Sequence, residues 1–521
     1  MEKKKVKLFS AIALVALALL VVGATYAYFQ NQYGAASNAD VKVTTYTTDV
    51  LTFETGDGIS ITADQENFAQ GKGNQTGSTY ASALLKANNK TNTATEHYYM
   101  YLNITTNSFK YTIDENTPEI IMTVTDSEGN EITSVDGLTY VTAQDASGVS
   151  ITGFDITTKD GLVTIFNNRE ITASPNTEEK WNITITFVNY DKDQTKNAGE
   201  SMSSKIIIQK GQLTLSDYVI VQYTGIQGEN NLYHHDGTLT NGINDGSYRY
   251  AGASDMVNNF VCFGSDAETC PTDNLYRIIG VFGNQVKLIK YDYATSSLLG
   301  TDGDYYGTYS SGTSCYYWNK NATTDSEKNT WSLSLLNKTN LNTNFINNIG
   351  STWVSKIATT TWKVGGNTWE NVANTVPPTA YQNEIANPDP TSTSKTGEKE
   401  YSAKIGLMYV SDYAFAAAPS AWTRKLAYYS GNGYSNDAVT SVNWMYMGHH
   451  EWTISRISGM SGASGASEIA GYGYAFDVYN WGCVNYNYVG GEHAVRPTFY
   501  LLASVNFAGG DGSQNLPFRL S

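Results

Sequence analysis

One cluster in this 521-residue sequence has the residue types of a metal site. The run His449–Glu451 contains two adjacent histidines, and His493 follows downstream. Because neighbouring side chains on a strand point to opposite faces, the two adjacent histidines cannot easily share one ion. We therefore expect a polar strand edge beside a core tryptophan, Trp452, and no metal centre. The adjacent pair His234–His235 leads to the same expectation.

Carboxylates in glycine-rich turns are candidates for calcium, because their oxygens suit a hard cation. They are Asp302 and Asp304 in Asp-Gly-Asp, Asp511 in Gly-Gly-Asp-Gly, and Asp191 and Asp193 followed by Asn197. None of these runs has the twelve-residue spacing of an EF-hand loop. Ordinary turn chemistry is the main expectation. Calcium stays as an alternative, and no other cofactor is expected.

Catalysis would need a nucleophile beside a base, paired carboxylates in context, or a set of metal ligands. The sequence has no serine-centred elbow, no phosphate-binding loop and no dinucleotide fingerprint. We therefore predict that the protein is not an enzyme. An extracellular hydrolase stays as an alternative because the C-terminal half of the chain is large.

The segment from residue 479 to residue 488 is rich in aromatic and amide side chains. The candidate binding residues are Tyr479, Asn480, Trp481, Asn485, Tyr486, Asn487 and Tyr488. Tyrosine and tryptophan supply rigid contact area, and asparagine supplies adaptable hydrogen bonds. Aromatic faces beside amides also suit sugar rings, so the predicted ligand is a protein or a glycan. The alternative is a tyrosine-rich hairpin that only packs on its neighbours.

The first 27 residues have the pattern of a secretory signal. Four lysines precede the apolar run Leu8–Gly23, and Thr25 and Ala27 fit positions −3 and −1 of a signal-peptidase site. We predict cleavage between Ala27 and Tyr28. The apolar run is shorter than the roughly 20 residues that span a bilayer, and an uncleaved membrane anchor is the alternative. The mature chain is predicted to be secreted, extracellular or at the cell surface.

All four cysteines lie in the second half of the chain. In an exported protein an even number of cysteines favours disulfides. Cys262 and Cys270 are close enough to staple one loop, which would contribute roughly 2–3 kcal/mol. Cys315 with Cys483 is then the remaining pair. Neither pair has the C-x-x-C spacing of a zinc or redox site.

The composition indicates a folded, acidic protein. Lysine and arginine total 33 against 49 aspartates and glutamates, which gives a formal charge of −16. Such a chain will not neutralise phosphates, so nucleic-acid binding is not expected. The 38 tyrosines and 46 glycines suit short strands with polar turns and argue against a disordered chain.

Alternating apolar and polar residues in the first half predict strands with one buried face. The alternation is present in Tyr98–Thr105, Ile120–Val124, Trp181–Phe187 and Lys205–Gln209. Many short strands separated by turn clusters are typical of a β-sandwich or jelly roll. One helix is predicted at Ser78–Ala87.

The second half of the chain contains sequence patterns of a strand hairpin, a helix and a long loop. Leu275–Phe282 and Gln285–Tyr291 flank Gly283-Asn284, which supplies the positive φ values of a tight hairpin turn. A helix is predicted from an Asn329 cap to Ile349. A loop rich in proline and threonine is predicted at Pro377–Lys399.

The first half resembles the TasA/camelysin family. The end of the export signal, Gly23–Phe29, is similar to those cut by SipW-type signal peptidases, and Trp181–Gln194 with Ala198–Ser201 resembles late strands of the family. The resemblance implies a secreted β-sandwich that builds biofilm-matrix fibres by strand donation between subunits. Camelysin has been classed as a metalloprotease, but this region contains one histidine, His97, and no H-E-x-x-H.

The second half resembles the formylglycine-generating-enzyme/C-type-lectin-like superfamily. The strings that carry the resemblance are Asp273–Val281, Glu451–Ser455, Val495–Pro497 and Gly509–Gly512. The resemblance implies a small twisted sheet with a couple of helices and long loops. It also implies scaffold roles, with Trp452 in the core and Arg496 tying loops together.

Two functions of that superfamily bear on this chain. The formylglycine-generating enzymes use a pair of late cysteines, and only Cys483 lies in that part of the sequence, so oxidase activity is not expected. Retroelement-diversified lectin-fold proteins vary residues in this late segment. The residues Asn480, Asn485, Tyr486, Asn487 and Tyr488 would suit such diversification, which stays as an alternative.

These observations predict a mostly β chain with four parts. They are a signal peptide at 1–27, a jelly-roll-like β-sandwich at 28–212, a connector at 213–247 and a C-type-lectin-like α+β domain at 248–521. The predicted function is a secreted surface or extracellular-matrix adhesin. The sandwich would serve assembly or retention and the lectin-like head would bind a ligand. A purely structural biofilm-fibre subunit is the alternative.

Overall fold

A computed structural model describes residues 49–63, 73–88, 93–320, 329–386, 398–429, 439–459 and 473–521. Strand residues outnumber helical residues by more than two to one, so the predicted mostly-β class is confirmed. The chain divides into two compact units, Met1–Leu213 and Thr214–Ser521. The predicted cleavage between Ala27 and Tyr28 lies outside the described residues. Among the described residues, no helix is both long and apolar enough to cross a membrane.

The first unit is built from strands. They are β1 (Val50–Thr55), β2 (Ile59–Thr62), β3 (Gln75–Lys86), β4 (Ala94–Asn107), β5 (Ile120–Thr125), β6 (Tyr140–Gln144), β7 (Ser150–Asp155), β8 (Gly161–Ala173), β9 (Asn176–Phe187) and β10 (Ser201–Gln209). One sheet has the order β1-β3-β9-β5-β7-β6 and a second has the order β2-β10-β4-β8, with every neighbouring pair antiparallel. A short 3₁₀ helix, Thr195–Asn197, precedes β10.

Side chains from both sheets of the first unit belong to one hydrophobic core. The six-stranded sheet contributes Ala81, Ala83, Leu85, Ile183 and Ile185, and the four-stranded sheet contributes Met100, Leu102, Ile104, Ile206 and Ile208. The period-two alternation therefore predicted the core-facing residues of β4, β5, β9 and β10 correctly. The prediction of a single buried face is wrong for β4 and β5, because Tyr101, Asn103 and Ile121 on the opposite faces are buried too. Within this core the indole N–H of Trp181 donates to the Tyr98 hydroxyl at 2.8 Å.

The helix predicted at Ser78–Ala87 is wrong, because that segment lies in strand β3. β3 pairs with β1 on one side and with β9 along twelve residues on the other, from Gln75 opposite Phe187 to Lys86 opposite Asn176. Alanine and serine have a low intrinsic preference for β-strands. Hydrogen-bonded pairing on both edges of β3 outweighs this low preference.

The second unit has sixteen short strands within its described residues. They are β11 (Leu232–His234), β12 (Tyr248–Tyr250), β13 (Phe260–Cys262), β14 (Leu275–Phe282), β15 (Gln285–Lys290), β16 (Tyr305–Thr308), β17 (Ser314–Tyr317), β18 (Thr360–Lys363), β19 (Gly366–Thr368), β20 (Glu400–Ala403), β21 (Ile405–Gly406), β22 (Glu451–Gly459), β23 (Tyr474–Val478), β24 (Val484–Tyr488), β25 (Glu492–His493) and β26 (Thr498–Tyr500).

The helices of the second unit are short. The α-helices are α1 (Leu215–Val221), α2 (Ser296–Leu299), α3 (Ile346–Ile349), α4 (Ser351–Val354), α5 (Trp369–Val372), α6 (Pro377–Tyr381) and α7 (Val410–Phe415). Stretches of π-helix cover Leu336–Phe345 and Gln382–Ala386. Single 3₁₀ turns cover Glu229–Asn231, Thr272–Asn274, Trp331–Leu333, Pro419–Ala421, Leu426–Tyr428 and Thr440–Val442.

Four sheets organise the second unit. The largest has the order β11-β12-β14-β15-β26-β21, with β13 also paired to β14. The others are β16-β17-β25, β18-β20 and β19-β22-β23-β24. In the last of these β19 runs parallel to β22, while β22, β23 and β24 are antiparallel.

The predictions for individual elements of the second half had mixed outcomes. The β14–β15 hairpin is confirmed, with Gly283 at φ 63° in its turn. The stretch expected to be a connector contains α1 and β11 and belongs to the second unit. The helix predicted from Asn329 to Ile349 is confirmed only in its second part, as the π-helix Leu336–Phe345 followed by α3. The Asn329 amide donates to the carbonyl oxygens of Ile457 and Tyr474. Pro377 begins helix α6 where a loop was predicted, since proline is tolerated in a first helical turn.

The cysteines follow the prediction only in part. The disulfide predicted between Cys262 and Cys270 is present. The pairing of Cys315 with Cys483 is wrong, because no disulfide joins them. Cys315 is buried in β17, where its thiol lies 3.4 Å from the carbonyl oxygen of Gly307. Cys483 lies in the turn between β23 and β24, which belong to a different sheet.

Candidate ligand-binding hairpin and histidine–aspartate cluster

The seven predicted binding residues all lie on one β-hairpin, Tyr474–Tyr488, which consists of β23, a tight turn and β24. The turn is closed by the Tyr479 N–H, which donates to the Cys483 carbonyl at 2.8 Å, and by the Gly482 N–H, which donates to the Tyr479 carbonyl at 2.7 Å. Gly482 has φ 87°, and a Cβ there would lie 2.5 Å from a methyl carbon of Thr440. Glycine is therefore required at this turn position.

The strand register divides the predicted residues between two faces. The cross-strand pairs are Tyr474 with Tyr488, Ala475 with Asn487, Phe476 with Tyr486, Asp477 with Asn485 and Val478 with Val484. Residues paired directly across two strands share a face. Asn485 and Asn487 therefore lie on the face that carries Asp477, whereas Tyr486 and Tyr488 lie on the opposite face.

The turn presents Tyr479, Asn480 and Trp481, each of which is half-buried. The rings of Tyr479 and Trp481 lie 4.8 Å apart. The hydroxyl of Tyr446 donates to the Asn480 carbonyl at 2.7 Å, and that of Tyr413 donates to the Gly482 carbonyl at 2.7 Å. These two bonds hold the turn backbone in place. The side-chain Oδ1 of Asn480 has no hydrogen-bond partner among the described residues.

Tryptophan exposure separates the hairpin from the rest of the chain. Eight of the ten tryptophans are buried, and the two that are not are Trp369 and Trp481. Trp481 lies in the hairpin turn, and Trp369 packs edge-to-face on Tyr486 at 5.3 Å. Sequence reasoning missed Trp369, since nothing in its own segment indicates a contact with residues more than a hundred positions later.

A histidine–aspartate cluster lies on the asparagine face of the hairpin. Asp477 Oδ2 is 3.4 Å from His450 Nδ1 and 3.0 Å from His493 Nε2. The side chains of Asp477 and His493 are 1% and 4% exposed, whereas that of His450 is 25% exposed. These three residues offer two nitrogens and one oxygen within 4.8 Å of one another, so they form a group that could hold a metal ion.

The two histidines of this cluster are fixed by their neighbours. The ring of His493 stacks on Trp452 at 4.0 Å, and its Nδ1 donates to the Glu492 carbonyl at 2.5 Å. The rings of His450 and Tyr479 pack in a T-shaped arrangement, with their centroids 4.0 Å apart. The cluster is therefore in direct contact with a predicted binding residue.

The hydrogen-bonding capacity of the cluster is only partly used. Neither Asp477 Oδ1 nor His493 Nε2 has a hydrogen-bond partner among the described residues, although both are buried. The contact between Nε2 and Asp477 Oδ2 is nevertheless short, at 3.0 Å. Burial raises the pKa of Asp477, but the two histidines outweigh it and bring the pKa below its ordinary value.

The scaffold residues predicted from the lectin-like resemblance lie beside this cluster. Trp452 is fully buried, and its indole N–H donates to the Tyr316 carbonyl at 2.8 Å. Arg496 donates from Nε and from a terminal nitrogen to the two carboxylate oxygens of Glu451, at 2.7 and 2.9 Å. A further Arg496 N–H bonds the Met445 carbonyl at 2.7 Å, so this guanidinium ties strand β22 to the loop before it.

The adjacent histidines lie directly before strand β22 and not on a strand edge, and they have different partners. His449 Nε2 lies 3.2 Å from the Ser311 hydroxyl, away from the position of His450. Sequence reasoning paired these histidines with Glu451, whereas the structure pairs His450 and His493 with Asp477. A single carboxylate in the apolar strand Tyr474–Val478, directly before the aromatic turn, was the signal available.

The other metal candidates form ordinary local structure. Asp304 accepts backbone N–H groups from Lys320 and Leu336 at 3.0 and 2.7 Å. Asp193 and Asp511 accept bonds within their own turns. His235 is buried against Phe415 and Trp422, and this burial lowers its pKa to about 3.

No protein-family model matches the chain, and no curated protein is significantly similar to it.

Proposed function

We propose that the protein is an exported surface or extracellular-matrix adhesin that binds a protein or glycan through the hairpin surface. The hairpin surface is defined as Tyr479, Asn480, Trp481, Asn485, Tyr486, Asn487 and Tyr488. The observation that supports it most directly is that both tryptophans outside the interior, Trp369 and Trp481, lie at this hairpin. Tryptophan and tyrosine in partly exposed positions are the residues that dominate binding energy at interfaces.

The polar groups of the hairpin surface favour the same function. Asn480 is half-buried in the same turn as Trp481. Asn485 and Asn487 add amides on one face, and Tyr488 is 42% exposed on the other. Aromatic area beside amide side chains can bind sugar hydroxyls or the main chain of a protein.

The two units receive different roles in this proposal. The first unit, with two sheets around one core, would be a jelly-roll-like β-sandwich that serves assembly or retention. The second unit would be a C-type-lectin-like head, with Trp452 and Arg496 holding the hairpin in place. Strand donation between subunits, as implied by the resemblance of the first half, would account for retention in a matrix.

The test is binding of purified protein to an array of glycans and extracellular proteins, using wild type, Trp481→Ala and Tyr401→Ala. Tyr401 is a half-buried tyrosine of the two-stranded sheet and is the matched control. We expect a specific ligand for wild type and Tyr401→Ala, with binding by Trp481→Ala at least about 30-fold weaker. Absence of any ligand for wild type, or equal binding by Trp481→Ala, would contradict the proposal and favour a structural fibre subunit.

A further inference from the structure

We propose that His450, Asp477 and His493 bind a divalent transition-metal ion of the zinc class, with one coordination position left open. This inference rests on the geometry of the cluster and does not depend on the proposed ligand of the hairpin surface.

The hydrogen bond of His493 Nδ1 fixes which ring nitrogen carries the proton. Its partner is the carbonyl oxygen of Glu492, which can only accept, so Nδ1 must be the N–H donor. In a neutral imidazole, the other nitrogen, Nε2, then carries a lone pair. That lone pair lies 3.0 Å from Asp477 Oδ2, an oxygen with lone pairs of its own.

Two lone pairs at this distance repel each other unless a proton or a metal ion lies between them. The zinc titration described below distinguishes a shared proton from a metal ion.

The distances between the donor atoms fit a small ion. Ligand atoms about 2.0–2.1 Å from a tetrahedral zinc ion lie about 3.3 Å from one another. The observed separations are 3.0 Å for His493 Nε2 to Asp477 Oδ2 and 3.4 Å for His450 Nδ1 to the same oxygen. The three donor atoms all lie within 4.8 Å of one another, so small side-chain shifts would complete the site.

The surroundings of the cluster also have the features of a metal site. Histidine ligands of metals usually donate their second ring N–H to a carbonyl or carboxylate, as His493 does to Glu492. Trp452 stacks on the His493 ring and fixes its orientation. Asp477 Oδ1 is buried without a partner among the described residues and is available as an acceptor for a metal-bound water.

The donor set selects the class of metal. Two imidazole nitrogens and one carboxylate suit zinc, copper, nickel or iron and are poor for calcium, which prefers six or more oxygens. Three protein ligands leave a coordination position open. His450 is the most exposed of the three, so the ion would enter from its side, where Tyr479 of the hairpin lies.

The test uses full-length mature protein without a polyhistidine tag, freed of metal by a chelator and titrated with zinc chloride in a calorimeter. We expect one zinc ion per chain, and cobalt should give the visible absorption of a tetrahedral N/O site. His450→Ala and Asp477→Asn should each weaken zinc binding by about 100-fold or more, since each removes a direct ligand. His449→Ala is the matched control and should stay within about twofold of wild type.

The variants must be compared as folded proteins, which circular dichroism checks directly. Asp477→Asn keeps the shape of the buried side chain, and His450 lies at the solvent side, so two independent variants test the site. Failure of wild type to bind zinc, cobalt or nickel would overturn the proposal. Unchanged zinc affinity in folded His450→Ala and Asp477→Asn would also overturn it.

Discussion

Two buried carboxylates on neighbouring strands of one sheet have opposite surroundings. Glu451 in β22 receives two N–H bonds from Arg496, at 2.7 and 2.9 Å. Asp477 in β23 contacts two histidines through one oxygen, while its other oxygen has no partner among the described residues. A buried charged group whose hydrogen bonds are all made stabilises the fold. A buried polar atom without a hydrogen-bond partner needs another explanation, such as a bound ion or water. The difference supports the proposed metal-binding role of Asp477 and a structural role for Glu451.

A third carboxylate belongs with Glu451 in this comparison. Asp245 bonds the Arg249 guanidinium at 2.9 Å and accepts from the backbone N–H and hydroxyl of Ser247. Substitutions at these satisfied pairs should therefore affect stability, and substitutions at Asp477 and its histidines should mainly affect binding.

The largest expected effect is at Arg496. Arg496→Met should destabilise the second unit by about 3–5 kcal/mol, because it leaves the Glu451 charge buried without a partner. Urea unfolding followed by tryptophan fluorescence measures this loss. The double variant Arg496→Met/Glu451→Gln removes the charge as well and should recover part of it. A loss of stability below about 1 kcal/mol for Arg496→Met would show that the ion pair between Arg496 and Glu451 contributes little to the fold.

A smaller effect that depends on pH is expected at Asp245. The Asp245 pKa is lowered to about 2, since Arg249 and Ser247 outweigh the opposing effect of burial. A carboxylate with a lowered folded-state pKa stabilises the fold above its unfolded pKa, and this stabilisation disappears as the pH falls from 3.8 towards 2. Asp245→Asn should therefore cost about 2 kcal/mol at pH 7 and little near pH 2.

Unfolding free energies of wild type and Asp245→Asn between pH 2 and pH 7 test this prediction. Asp511→Asn, in an exposed turn, is the control and should follow wild type. A difference between wild type and Asp245→Asn that stays constant with pH would show that the ion pair with Arg249 is not the source of the stabilisation.

The smallest effect on stability is expected at His450. In metal-free protein His450→Ala should cost less than about 1 kcal/mol, because its contact with Asp477 is long and partly exposed to solvent. Zinc should raise the melting temperature of wild type and leave that of His450→Ala unchanged, since a bound ion stabilises only the state that holds it. Equal zinc-induced shifts in both proteins would place the metal elsewhere in the chain.

The sequence predicted the elements that depend on local pattern. Strands such as β4 and β9 follow from alternation, because every second side chain must enter the core. The segment Ser78–Ala87 was misjudged because its strand state depends on pairing with β1 and β9, which lie elsewhere in the chain. The same limitation applied to the pairing of Cys315 with Cys483.

The candidate site was also predicted only where its residues are close together in the sequence. Composition alone predicted the residues of the hairpin surface, since its aromatic and amide residues all lie between positions 479 and 488. The contact of Trp369 with Tyr486, and the meeting of His450, Asp477 and His493, join segments that are distant in sequence. Such contacts are set by sheet order, which the local pattern of residues does not encode.

We expect the hairpin surface to bind a ligand and not to be part of the core. The decisive experiment measures two quantities on the same samples: the affinity for the ligand identified on the array and the free energy of unfolding. The proteins compared are wild type, Trp452→Ala and the triple variant Trp481→Ala/Tyr486→Ala/Tyr488→Ala. We expect the triple variant to lose binding while remaining folded, and Trp452→Ala to lose about 3–5 kcal/mol of stability through the cavity it leaves. A triple variant that unfolds as Trp452→Ala does would contradict the claim and assign the hairpin to the core.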